Sequence, residues 1–144
     1  MAETVGVSAA TIKSWLSVLE ASYITFSFPC CYRNFGKRFV EASKVYFTDV
    51  GQCCHLLGVR NPGQVDRDPV WGGIFENLVV SDILKTRLNN ELEPDMYFVR
   101  DYKGFEVDLL VENRRMVNLY EIKSSASFHE AGHTDIHVAG VHFV

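Results

Sequence analysis

Residues 105–125 read FEVDLLVENRRMVNLYEIKSS, and the folding of this stretch decides everything around it. Two alternating runs, FEVDLLV (105–111) and MVNLYEIK (116–123), flank ENRR, a connection of hairpin length. Side chains alternate along a strand, so Glu106, Asp108 and Leu110 share one face of the first run. Leu119, Glu121 and Lys123 share one face of the second. With residues 113–116 as the loop, Glu112 pairs with Val117, Leu110 with Leu119, Asp108 with Glu121, and Glu106 with Lys123. Directly opposed residues point to the same side of a sheet, so this register sets two carboxylates face to face.

Like charges in that position need compensation. The plain reading is an ion pair between Glu121 and Lys123. The chemical reading is a divalent cation held by Asp108 and Glu121. Mg²⁺ takes one or two protein carboxylates and completes its shell with water and phosphate oxygens. Bound there, Mg²⁺ or Mn²⁺ would polarise a phosphodiester and acidify a water molecule. Lys123 would then orient the attacking hydroxide or offset charge at phosphorus.

Upstream, GIFENLVVSDILKTRL (73–88) predicts about four turns of helix with Phe75, Val79 and Ile83 on its apolar stripe. Glu76 lies at the margin of that stripe, where a carboxylate requires a partner. MYFVR (96–100) supplies a further strand. Before the helix, RNPGQVDRDPVWG (60–72) combines prolines, glycines and charges and marks a boundary. The expected organisation is residues 1–50, a short helix and linker over 51–71, and a second unit over 72–144.

Within the first unit, GVSAATIKSWLSVLE (6–20) predicts a helix N-capped by Ser8, with Ile12, Trp15, Leu16 and Leu19 as its apolar stripe. The opposite face carries Ala9, Lys13, Ser14 and Ser17, the layout of a helix offered to a duplex. SYITFSF (22–28) and KVYFT (44–48) predict strands. The segment between them, CYRNFGKRFVEASK, carries Arg33, Lys37, Arg38 and Lys44. It reads either as the basic wing of a winged helix or as a solvated loop. Lys13, Arg33, Lys37 and Arg38 are the candidate nucleic-acid contacts. DVGQCCHLLG (49–58) predicts a short helix closed by Gly58.

The net charge of −4 confines any phosphate contact to such local clusters. No apolar run approaches the roughly 18 residues of a membrane span, and the cytoplasm is the default location. The cysteines fall in two adjacent pairs, Cys30-Cys31 and Cys53-Cys54, without the spacing of a zinc knuckle, so free thiols are expected. His129, His133 and His137 would align on a helix as zinc ligands. Gly132, Thr134, Ile136 and Val138 disfavour that helix, and a solvated tail is expected instead.

The order Glu76, Asp108, Glu121-Ile122-Lys123 across helix, strand and strand resembles the core of the PD-(D/E)XK nuclease superfamily. The longer run KVYFTDVG…LLG…FENLVVSDILK…YFVRD…EVDLLV…YEIKSS resembles a large prokaryotic group of predicted AAA+ ATPases. It is similar to their uncharacterised C-terminal domain, in which a winged helix precedes a nuclease-like fold. The likeness spans roughly residues 5 to 128. It implies an α+β chain (mixed α/β): a partial winged helix, then a nuclease-like core with an antiparallel-containing sheet. It further implies Asp108, Glu121 and Lys123 at the catalytic positions, Glu76 as the helical acid, and Mg²⁺ or Mn²⁺ as the metal. DNA is the implied partner, with an ATPase module in a longer parent. The ATPase loop GxxxxGK[ST] is absent from this sequence, so no nucleotide site is expected in it. The chain thus reads as a fragment of that parent. Three readings stay open: a metal-dependent nuclease, a catalytically silent interaction module for nucleic acid or protein, and a purely structural salt-bridge network.

Overall fold

The computed structural model describes residues 6–31, 43–65, 70–100, 106–114, 116–124 and 137–139. Ser8 caps the first helix, α1 (Ala9–Ala21), its Oγ accepting the Thr11 N–H at 3.1 Å. The chain then reverses through Tyr23, held at φ +57°, into β1 (Thr25–Pro29), which pairs antiparallel with β2 (Ser43–Phe47). Asp49 opens α2 (Val50–Leu56) by accepting the N–H groups of Gly51 and Gln52. Gly58, at φ +76°, closes it in a left-handed conformation that a side chain would strain. The short helix α3 (Pro62–Val65) leads toward the long helix α4 (Trp71–Asn89).

β3 (Met96–Arg100), β4 (Glu106–Asn113), β5 (Met116–Glu121) and β6 (His137–Ala139) form an antiparallel sheet in that order. The mixed α+β class expected from the sequence is the one observed. The β4–β5 register is Glu112 to Val117 and Leu110 to Leu119, as the alternation predicted. The hairpin is tighter than expected: Asn113 pairs with Met116, and Arg114 takes φ +50° in the turn. β6 was not anticipated, since the tail was read as solvated. It pairs His137 with Glu121 and Val138 with Tyr120, so Val138, one of the residues that disfavour a helix, lies in a strand. His129 and His133 lie outside the described residues.

One core joins the two ends of the chain. Phe28 of β1 and Tyr46 of β2 pack with Val80 of α4, Met96 of β3, Leu109 and Val111 of β4, and Ile122. Cys30 extends β1 into a parallel bridge with Phe98, reinforced by the Cys31 N–H donating to the Phe98 carbonyl at 2.8 Å. Asn77, buried on α4, grips the backbone of β2: its Oδ1 accepts the Phe47 N–H at 2.7 Å and its Nδ2 donates to the Phe47 carbonyl at 2.8 Å. Arg87, also buried, donates to the Glu93 carbonyl, the Asn113 Oδ1 and the Glu112 carbonyl, tying the end of α4 to the end of β4.

The stripe expected on α1 is half-buried at Ile12, Leu16 and Leu19 but not at Trp15. Trp15 is 53 % exposed, and no residue of this helix is fully buried. Ala9, Lys13, Ser14 and Ser17 are exposed, as the alternative face required. The four cysteines are free, with Cys30 and Cys53 buried.

Candidate functional site

The site is shaped by an irregularity in β4. Tyr97 pairs with Leu110, but the next rung joins Val99 to Val107, two steps along β3 against three along β4. Asp108 and Leu109 therefore stand opposite the single residue Phe98, a β-bulge. An extra residue exchanges the faces on its two sides. Glu106, paired with Arg100, consequently joins the side of Met96 and Phe98, where β2 and α4 pack.

On that side three carboxylates converge on one ammonium. Lys44 Nζ lies 3.0 Å from Glu76 Oε1, 2.9 Å from Glu106 Oε1 and 3.3 Å from Asp108 Oδ1, and sits 5.8 Å from the centre of the Phe98 ring. Strand alternation explains the placement: Lys44 shares a face of β2 with the buried Tyr46. The Tyr46 hydroxyl donates to Glu76 Oε1 at 2.7 Å. Asp108 Oδ2 accepts the Ile122 N–H at 2.9 Å, and Arg100 Nε reaches Glu106 Oε2 at 3.3 Å.

The electrostatics follow from this crowding. Burial pulls the Lys44 pKa down, but hydrogen bonds to Glu106 and Glu76, with the fields of Glu76 and Asp108, outweigh it and leave the pKa raised. Burial, followed by the hydrogen bond to Glu76, drives the Tyr46 phenol far above its ordinary range. Lys123 is raised chiefly by its bond to Glu121, with smaller contributions from the fields of Asp108 and Glu76.

The predicted site residues thus divide into two groups. Glu76 and Asp108 come together around Lys44 and are largely buried. Glu121 and Lys123 pair with each other at 2.5 Å, the carboxylate 46 % and the ammonium 55 % exposed. Between them Ile122 turns into the core. The paired rungs of β4 and β5 stop at Leu109–Tyr120, so the expected rungs Asp108–Glu121 and Glu106–Lys123 are not part of the ladder. The Asp108 carboxylate takes up the next hydrogen bond itself. Arg33, Lys37 and Arg38 lie outside the described residues. Lys44, counted with them as a basic loop, is turned inward and spent on the acids. Lys44, Tyr46 and Glu106 were not recognised as members of the site. For Glu106 the signal is the alternation that puts it on one face with Asp108; for Lys44 it is the two-residue spacing from Tyr46, which gains meaning once Tyr46 is known to be buried.

The donor set is hard oxygen, the type that suits Mg²⁺. Its arrangement does not suit the ion. Mg²⁺–oxygen contacts of about 2.0–2.1 Å leave no room for an ammonium at the same point of convergence. Among the described residues, no group of three or more His, Cys, Asp or Glu side chains is placed to hold a metal ion. The resident charge balance comes from lysine.

The residues of this site fall in two stretches that match family models. Residues 71–138 match DUF4143, a domain of unknown function found C-terminal to AAA ATPase domains. Residues 1–63 match a second domain of unknown function, DUF8612. The chain is 26 % identical over 127 residues to uncharacterised proteins of Mycobacterium bovis and Mycobacterium tuberculosis. The match covers 88 % of this chain and 28 % of each relative, so the chain spans little more than a quarter of their length. No solved structure matches it. Among the described residues, no helix is long and apolar enough to cross a membrane.

Proposed function

We propose that this chain is a non-catalytic, nuclease-like interaction module of an ATPase-linked prokaryotic protein acting in the cytoplasm. The observation that carries this reading is the state of Asp108. Both of its oxygens are engaged inside the protein, by Lys44 and by the Ile122 N–H, while Glu121 is turned outward to Lys123. Acids that would have to share one metal are committed to separate partners. A fold can keep the outline of an enzyme after its site has become structural. The surface of α1 supports a protein partner over a duplex: Trp15 and Val18 are exposed, and Lys13 is the single cation of the helix.

A second reading, Mg²⁺-dependent hydrolysis of DNA phosphodiesters, draws support from Lys123. It keeps its place beside Glu121 at the end of β5 and senses Asp108 and Glu76 through space. In that case Asp108 and Glu121 would hold the ion, Lys123 would offset charge at phosphorus, and Glu76 would steady the site.

Supercoiled plasmid incubated with the protein and Mg²⁺ or Mn²⁺ separates the two readings. The non-catalytic module leaves the DNA intact, as does Asp108→Asn. Metal-dependent nicking that disappears in both Asp108→Asn and Glu121→Gln overturns it.

A further inference from the structure

The disagreement between the acid cluster and the implied metal has a positive content. We infer that Lys44 is a tethered substitute for the divalent ion, delivered by one family segment into the acids of the other; this rests on the non-catalytic reading above. Glu76, Glu106 and Asp108 all belong to the stretch matched over residues 71–138, whereas Lys44 belongs to the stretch matched over residues 1–63. The first segment thus places one positive charge in cis among the three acids of the second.

The geometry is that of a cation seat fitted to an ammonium. Lysine offers three N–H donors, and three carboxylates each present one oxygen to it at 2.9–3.3 Å. The remaining oxygens of two of these carboxylates are held as well, Asp108 Oδ2 by the Ile122 N–H and Glu106 Oε2 by Arg100. The Tyr46 hydroxyl fixes Glu76 from a further direction. The acids are therefore pinned around a central positive charge, whatever carries it. While Lys44 is present, its volume and its charge both keep a metal ion out. Without it, three carboxylates would face one another across a space lined by hard oxygens, and a divalent ion would relieve the repulsion.

Thermal unfolding with EDTA and with Mn²⁺ tests this on wild type, Lys44→Ala, Lys44→Met and the double variant Lys44→Ala/Asp108→Asn. Wild type should melt at the same temperature in both conditions. Each single variant should melt lower than wild type in EDTA. Each should then rise by about 5–10 °C when Mn²⁺ reaches a hundredfold excess over its Kd. Loss of the free-ion electron paramagnetic resonance signal should accompany that rise. The double variant should not respond. Lys44→Met keeps most of the aliphatic stem and guards against a packing defect in the alanine form. If either variant is unfolded in EDTA, recovery of its circular dichroism on adding Mn²⁺ is the equivalent supporting result.

An equal Mn²⁺ response in wild type and Lys44→Ala overturns the inference, because Lys44 would then exclude nothing. So does a folded Lys44→Met that ignores Mn²⁺, or an unfolded variant that Mn²⁺ fails to restore. These outcomes differ from failure of the non-catalytic reading, which shows instead as plasmid nicking by the wild type.

Discussion

Replacing Asn77 by alanine is expected to loosen the attachment of α4 to β2. The amide acts on β2 as a neighbouring strand would, accepting the N–H and donating to the carbonyl of the same residue, Phe47, at 2.7 and 2.8 Å. Asn77 is 5 % exposed, so water does not readily replace it. Each hydrogen bond contributes roughly 0.5–1.5 kcal/mol net, and each buried polar group left unpaired costs about 1–3 kcal/mol. Phe47 is only half-buried, so part of its backbone can rehydrate. The expected loss is therefore about 2–4 kcal/mol. At about 2–4 °C per kcal/mol for a domain near this size, Tm should fall by about 4–16 °C. Urea unfolding should show a lower midpoint with an unchanged slope. Asn77→Asp keeps the acceptor for the Phe47 N–H but sets an oxygen against the Phe47 carbonyl, so it should be no milder than alanine. If Asn77→Ala lies within about 1 kcal/mol of wild type, the amide is not a clamp and the reasoning fails.

Arg87→Ala removes three hydrogen bonds from a buried guanidinium and should cost about 3–5 kcal/mol in urea unfolding. Lysine should not restore it, because a single ammonium cannot match the fork that reaches Glu93, Asn113 and Glu112 together. Thr25→Val should stabilise the fold by about 1 kcal/mol, because the Thr25 Oγ1 is buried without a hydrogen-bond partner among the described residues; a lower Tm for the valine form would show that the hydroxyl has a use. Lys44 and Tyr46 both have pKa values raised in the folded state. Their contribution to stability is complete below their ordinary values near about 10 and is lost as pH rises through the folded ones. Tm should accordingly fall above about pH 10, and less steeply in Tyr46→Phe than in wild type.

The register of β4 with β5 could be read from alternation because β4 sends Leu109 and Val111 into the core, which makes a slipped pairing costly. The long helix was legible for a similar reason: Phe75, Val79 and Ile83 recur at helical spacing and pack against the core. The site was harder. Strict alternation sends Asp108 toward Glu121, and nothing in VDLL announces the bulge that places Asp108 and Leu109 opposite Phe98. Lys44 was obscured by its neighbours, since a lysine closing a basic segment reads as solvated until Tyr46 is seen to be buried beside it. Asn77 and Arg87 look like polar breaks in an apolar helix. They are the groups that hold backbone from other elements, a role fixed by long-range packing and not by local pattern. The strand at His137–Ala139 depends on an open edge of β5 that local sequence does not reveal.

The shared interior has a practical consequence for dissecting the chain. Phe28 and Tyr46 come from the stretch matched over residues 1–63, Val80, Met96, Leu109, Val111 and Ile122 from that matched over 71–138, and they wet or stay dry together. Recombinant pieces cut between residues 63 and 71 would each present half an oily surface to water. They should precipitate or be digested when made apart, and regain solubility when the two halves are co-expressed.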